Sequence, residues 1–492
     1  MKFMCFREGE NFPRVVKPYV FLVHDNWDDF GYKVSFKVFV TDGIARKAIG
    51  TIKILQKISE RKESFKVASQ TELPERFDKL SDDYISLGQE RSYYEEMRKF
   101  FDSEADVALN SLRDIALLPR RSQPFEPTSA YRNALMRHNS AQRAKRFGAA
   151  WARGEDPQEQ VSFTYAGKID GAEMQTIGRF DFDENDELPG RVVAIIGRNA
   201  SGKTNYIASL AADLASTRRT SGTVWQEREK RFTEGRPLFT RVLAVSYSAF
   251  DNFKRPRVDE RSSYVYCGIG GENSHQFDLT RRYIENRERI RQIGRQGEWR
   301  RYIQDVIESD NPDHLSDDFF VLENSSMETQ THLLSLLSSG QAIFIHFITA
   351  LLAWLEPYSL VVFDEPETHL HPNAVANLFL VLSSLLDKYD SFAIIATHSP
   401  LVVQEVPAKR VLVFRRTGNI TETETLGLES FGESISEITK HVFETVEVDS
   451  VYRRTLRKLA RKYPLEEALG KFDTGLSINA EAYLLAQYGA RR

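Results

Sequence analysis

An eight-residue run, Gly197-Arg198-Asn199-Ala200-Ser201-Gly202-Lys203-Thr204, has residue types and spacing suited to gripping phosphate. Its glycines let the backbone turn tightly enough for amide N–H groups to face phosphate oxygens. Lys203 would neutralise the terminal phosphates, and the Thr204 hydroxyl would hold Mg²⁺. The flanks suit that role. Arg191–Ile196 reads as a buried strand, and Asn205–Ala212 as the start of a helix whose N-terminal dipole favours an anion. A chance lysine in a Gly/Ser-rich turn accounts for neither flank.

Three further groups lie downstream. Ser359–Glu367 is an apolar strand ending in adjacent carboxylates. Ligands of α/β sheets bind at the C-terminal strand edge, so Asp364 fits a Mg²⁺ ligand, directly or through water. Glu365 is then placed to orient or deprotonate an attacking water. Phe392–Pro400 is another buried strand, ending in His398, which could hydrogen-bond a γ-phosphate. Taken alone, His398 would read as a histidine capping a strand. The fourth group, Leu337-Ser338-Ser339-Gly340-Gln341, precedes an apolar helix from Ala342.

In this order the four groups resemble the motifs of the ATP-binding-cassette ATPases: phosphate loop, signature, Asp-Glu strand and switch histidine. The resemblance implies an α/β P-loop NTPase core that binds ATP with Mg²⁺. It implies that Ser338, Ser339, Gly340 and Gln341 of one copy cap the nucleotide held by another, with the signature amides at a helix N-terminus. One phosphate loop and one signature per chain then imply a head-to-tail homodimer, or a higher homo-oligomer, enclosing two ATP molecules. Asn199 and Ala200 make the loop resemble the chromosome-maintenance and double-strand-break-repair branch more than transporters. Asp364-Glu365-Pro366-Glu367-Thr368-His369-Leu370-His371-Pro372 is similar to a form found in overcoming-lysogenization-defect nucleases and bacterial anti-phage ATPases. By that likeness His369 and His371 are interface or nucleotide-communication residues rather than metal ligands.

The chain also departs from the family. The family's metal-touching glutamine should follow Arg241–Val245, yet Ser246-Tyr247-Ser248-Ala249-Phe250-Asp251 stands there; Ser246 or Ser248 could substitute. Long coiled-coil arms are missing. No strand ending in Glu with a later Asp-x-Asp follows His398, so nuclease activity in this chain is not expected. The layout resembles the ATPase subunits of Septu-type and retron-associated anti-phage systems, which implies a separate effector, a nuclease or toxin.

Around these motifs, 492 residues suffice for two or more domains. Apolar residues are 41% and charged residues 28%, the balance of a folded chain. The net charge of −4 gives no global attraction to nucleic acid. Cys5 and Cys267 form no CxxC pattern, which argues against a cysteine zinc site and suits a reducing cytoplasm. The first residues lack an apolar signal core. Ala342–Leu355 is interrupted by His346 and too short to span a bilayer, so no membrane partner is expected.

The spacing predicts a β-rich region over 1–72, a helical region and basic linker over 73–155, and an ATPase core over 156–420. A helical insertion over 253–334 and a helical tail over 421–492 complete the layout. His24, Asp25, Asp28 and Asp29 read as a solvated hairpin loop rather than a metal site. Three segments are rich in arginine or lysine: 118–153, 281–301 and 453–462. They read as solvated helix faces or as nucleic-acid or partner contacts, and in 281–301 the interleaved acids favour an exposed helix laced with ion pairs. The sequence thus leaves a DNA-repair ATPase as the rival to a defence subunit, with a transporter motor and a slow assembly scaffold behind it.

Overall fold

The computed structural model describes residues 2–10, 12–13, 19–41, 46–58, 65–157, 161–215, 221–247, 253–255, 262–268, 275–310, 337, 339–368, 370–443 and 451–489. These fall into two compact units, Met1–Ser434 and Ile435–Arg492.

The first unit opens with a mostly antiparallel sheet. β1 (Lys2–Phe6) pairs parallel with β2 (Tyr19–His24), and β3 (Ser35–Thr41), β4 (Arg46–Ile58) and β5 (Lys66–Val67) follow antiparallel. β6 (Arg76–Phe77) flanks β1, and β7 (Tyr84–Gly88) pairs with β4. The expectation of a helical region from residue 73 is therefore corrected. β6 and β7 lie inside it, and the first helix is Arg91–Phe101. Tyr84, Ile85 and Leu87 suit a pleated, buried surface, and the sheet overrides the weak helical period there.

The segment expected to be the ATPase core is built on a second sheet of seven strands. β10 (Val192–Gly197), β11 (Val242–Ser246), β12 (Tyr264–Tyr266), β13 (Leu360–Asp364), β14 (Phe392–Thr397) and β15 (Val411–Thr417) run parallel; β16 (Ile420–Thr425) is antiparallel. The spatial order is β12-β11-β13-β14-β10-β15-β16. Every residue of β10, β13 and β14 is buried. Helices cover both faces of such a sheet, so its strands read as unbroken apolar runs rather than alternating ones. A two-stranded hairpin, β8 (Phe163–Lys168) and β9 (Gln175–Phe180), lies against the helix Lys203–Leu214, where the Tyr206 hydroxyl donates to the Tyr165 carbonyl at 2.9 Å. The hairpin β15–β16 carries the core to Thr425, so the tail begins later than 421.

Two of the three basic segments have internal duties. The helix Asn139–Arg153 is stitched to the ATPase core: Arg143 donates to the Leu238 carbonyl at 3.0 Å and Asn139 to that of Leu214 at 2.7 Å. Lys145 pairs with Glu126 and Arg153 with Asp106. In the insertion, Arg281–Glu285 and Arg291–Glu288 are exposed ion pairs on the helix His275–Gln292. Arg289 and Arg295 instead donate to the carbonyls of Ala353, Leu352 and Leu355, at the end of the helix Ser339–Trp354. Guanidinium groups there complement the negative end of the helix dipole. Within the expected helical insertion, 253–334, Tyr264–Tyr266 is β12 of the core sheet rather than helix, and 256–261, 269–274 and 311–334 lie outside the described residues.

The second unit is helical: Ile435–Phe443, Val451–Lys462, Leu465–Leu469 and Ile478–Gly489. Leu456, Ala460, Ala468 and Leu484 form its own small core. The helix Val451–Lys462 carries six basic residues and no acid, with Arg454, Lys458, Arg461 and Lys462 exposed.

One buried acid tunes the N-terminal body. The Asp114 carboxylate accepts from the backbone N–H of Ala116 and Gly88 and from the Tyr94 hydroxyl. Burial outweighs those bonds and pushes its pKa up to about 7 from 3.8. The folded chain therefore keeps a proton that the unfolded chain releases. The stability this group contributes is full below pH 3.8 and is lost as pH rises through about 7. Between those values the slope reaches about 1.4 kcal/mol per pH unit. Urea denaturation of Asp114→Asn against wild type across this range should show a flatter pH dependence in the variant.

Candidate functional site

Because β10, β14 and β13 are adjacent and parallel, their C-terminal ends open on one edge of the sheet. The phosphate loop leaves β10, the two carboxylates end β13, and His398 follows β14. The three groups that the sequence separates are thereby brought together.

The loop has the backbone its residues suggest. Gly202 is left-handed at φ +93°, and a Cβ there would come within 2.7 Å of the Ile169 side chain. At Gly197 a Cβ would meet the Phe414 carbonyl at 2.5 Å. Ala200 is also left-handed, at φ +65°. Lys203 begins the helix Lys203–Leu214, is 5% exposed, and donates to the carbonyl of Gly197 at 2.9 Å and of Arg198 at 3.3 Å. Burial lowers its pKa, against the opposing pull of Glu365, Asp364 and Glu367. Arg198 and Asn199 are exposed, and Ser201 is buried. Two residues outside the motif brace the loop: Arg416 donates to the Ala200 carbonyl at 3.2 Å and Thr421 to that of Ser201 at 3.3 Å. They belong to the β15–β16 hairpin, over 200 residues away in sequence, and no local pattern marks them.

Thr204 and Asp364 meet directly, with the hydroxyl donating to Oδ1 at 3.1 Å. Asp364 is 2% exposed. Two oxygen donors of this kind, one anionic, fit a hard divalent cation such as Mg²⁺. Glu365 stands next in a left-handed backbone, φ +48°, and its N–H donates to the Ala396 carbonyl at 2.8 Å. His398 Nδ1 lies 3.3 Å from Glu365 Oε1 and 3.4 Å from Glu367 Oε1. The Glu367 carboxylate also accepts from the Thr397 hydroxyl at 2.7 Å and the His398 backbone N–H at 3.0 Å. The sequence reading gave Glu367 and Thr397 no role; the signal for both is their place beside Glu365 and His398.

Ser246 ends β11 in register with Asp364 and is buried. Ser248, Ser338 and His369 lie outside the described residues. Leu337 is buried, and Ser339, Gly340 and Gln341 form the first turn of the helix Ser339–Trp354. His371 is exposed just before the helix Pro372–Lys388. In the loop cluster Asp28 is exposed as expected, His24 packs edge-on against Phe36, and Asp29 departs from the solvated loop, fully buried in an ion pair with Lys53 at 2.8 Å. Among the described residues no group of three or more His, Cys, Asp or Glu is placed to hold a metal, and no helix is long and apolar enough to cross a membrane.

Residues 272–404 match the family described as "AAA domain, putative AbiEii toxin, Type IV TA system". Protein ea59 of Escherichia phage lambda is 27% identical over 492 residues, covering 93% of this chain and 92% of that protein. Solved structures that it is similar to include an SMC head bound to the C-terminal winged-helix domain of ScpA (12% identity, TM-score 0.31, 55% of this chain and 97% of that one). Another is UvrA2 from Deinococcus radiodurans (16% identity, TM-score 0.28, 55% and 38%).

The fold is α/β with a P-loop NTPase-like core, and residues 272–404 are similar to an AAA domain. Lys203→Ala removes the buried cation of the loop. It should weaken ATP binding about 100-fold or more, roughly 2.7 kcal/mol, by calorimetric titration. The fold should survive it, because Lys203 bonds only backbone carbonyls in the described contacts.

Proposed function

We propose that this protein binds and hydrolyses ATP with Mg²⁺, closes head to tail as a homodimer, and thereby regulates a separate effector in a bacterial anti-phage defence complex. The observation that carries the ATPase reading is the Thr204–Asp364 hydrogen bond, with Glu365 the next residue along. Thr204 and Asp364 would hold the Mg²⁺, which when bound offsets phosphate charge. Lys203 binds the terminal phosphates. Glu365, partly exposed, orients the attacking water and takes its proton. His398 faces the γ-phosphate from the end of β14. Ser246, beside Asp364, is the candidate substitute for the family's metal-touching glutamine. Ser338, Ser339, Gly340 and Gln341 cap the nucleotide of the opposite copy, aided by the positive end of the helix Ser339–Trp354.

The defence setting draws on the comparisons: the matched family description names a toxin, and a relative occurs in phage lambda. A cytoplasmic location follows from this reading. A second reading, an ATPase acting directly on DNA ends, is favoured by one feature, the acid-free basic helix Val451–Lys462. DNA-stimulated hydrolysis that fades with salt would select it.

Glu365→Gln should bind ATP normally but stall before hydrolysis, accumulating the closed dimer. Light scattering behind size exclusion should then show a doubled mass in ATP and Mg²⁺ but not in ADP. A variant that stays monomeric with ATP bound would overturn the closure mechanism.

A further inference from the structure

Glu367 has a position that neither phosphate gripping nor metal holding explains. It stands two residues past Glu365, in the turn between β13 and the helix Pro372–Lys388, with an 11% exposed side chain. Its Oε1 receives two donors from the end of β14, the Thr397 hydroxyl at 2.7 Å and the His398 backbone N–H at 3.0 Å. Thr397 is fully buried, and its hydroxyl in turn accepts from the Ser399 N–H at 2.9 Å. Oε2 of Glu367 is buried and finds no hydrogen-bond partner among the described residues. Burying a carboxylate this way is costly unless its bonds do something the fold needs. A second tie runs alongside, from the Glu365 N–H to the Ala396 carbonyl at 2.8 Å. The turn is closed on itself by the Thr368 N–H to Glu365 and the Leu370 N–H to Glu367.

We propose that Glu367 is a positioning residue that locks the His398 end of β14 to the turn bearing Glu365, so that histidine and glutamate reach the γ-phosphate as one unit. The inference deepens the reading of Glu365 and His398 given above and rests on it. Glu367 touches neither water nor phosphate in this scheme. It fixes the backbone on which His398 stands and buttresses its ring, whose Nδ1 lies 3.4 Å from the same oxygen. A displacement of His398 toward phosphate must drag the Thr397 hydroxyl and the His398 N–H with it. Through Oε1 both pull on the turn that orients Glu365. What the clamp requires is an acceptor at Oε1, not a negative charge.

Glu367→Gln keeps that acceptor, Glu367→Ala removes it, and Thr397→Val removes one of its two donors. Steady-state ATPase kinetics and binding of a fluorescent ATP analogue should be measured on the full chain for all three. The expected result is a kcat lowered at least tenfold in Glu367→Ala. Glu367→Gln should stay within about threefold of wild type, Thr397→Val should fall between, and analogue affinity should be unchanged throughout. Wild-type kcat in Glu367→Ala, or Glu367→Gln as impaired as Glu367→Ala, would overturn the clamp. Should Glu367→Ala fail to fold, Thr397→Val against Glu367→Gln carries the same comparison, and equal kcat in those two overturns it. Full turnover in Glu365→Gln would instead sink the underlying site reading.

Discussion

The parallel hydrogen-bond register of β13, β14 and β10 is the constraint from which the site follows. Val193 lies opposite Ile394, and Val361 opposite Ala393, so the three strands end at one level. Sliding one strand by a residue would move each of its side chains to the opposite face of the sheet and repack both layers against it. It would also carry Asp364 or Thr397, the polar ends of β13 and β14, off the shared edge. The Thr204–Asp364 contact, spanning 160 residues of sequence, is the chemical consequence of that packing rather than its cause.

Arginine is the residue type whose work changes most between chain and fold. In the sequence, 118–153 reads as a solvated or anion-contacting face and 281–301 as an exposed, ion-paired helix. In the fold, Arg143 reaches a carbonyl of the ATPase core and packs over the Tyr358 ring, while Arg137 joins the buried Asp29–Lys53 pair. Arg287 lies 3.4 Å over the Trp299 ring. Guanidinium is planar and weakly hydrated, which lets it be buried against carbonyls and aromatic faces where lysine would not be. The helix Ser339–Trp354 gains from this. Arg289 and Arg295 on its last carbonyls compensate the negative, C-terminal pole of its dipole.

How much could be read from the chain depended on whether a signal was local. The strand–loop–helix around Lys203 and the apolar runs before Asp364 and His398 are contiguous, and the fold has all three where they were expected. The N-terminal sheet was half legible. β2, β3 and β4 are long enough to show their pattern, whereas β6 has two residues and is defined only by its partner β1. The braces from Arg416 and Thr421 were invisible because they act across a hairpin distant in sequence. Glu367 was in view, but its meaning depends on which strand lies beside β13. That adjacency is a property of topology, not of spacing.

Glu365 is left-handed at φ +48°, a region that costs a residue with a Cβ on the order of 1–2 kcal/mol. Asparagine and glycine bear that conformation readily, and unbranched glutamine bears it about as well as glutamate; valine, isoleucine and threonine do not. Evolutionary drift at this position is thereby channelled. Under the proposed role of Glu365, descendants that abandon hydrolysis while keeping the fold should carry glycine, asparagine or glutamine there, and β-branched replacements should be purged for reasons unrelated to catalysis. The geometry of one peptide unit so determines in which forms a silent, nucleotide-binding cousin of this protein could persist.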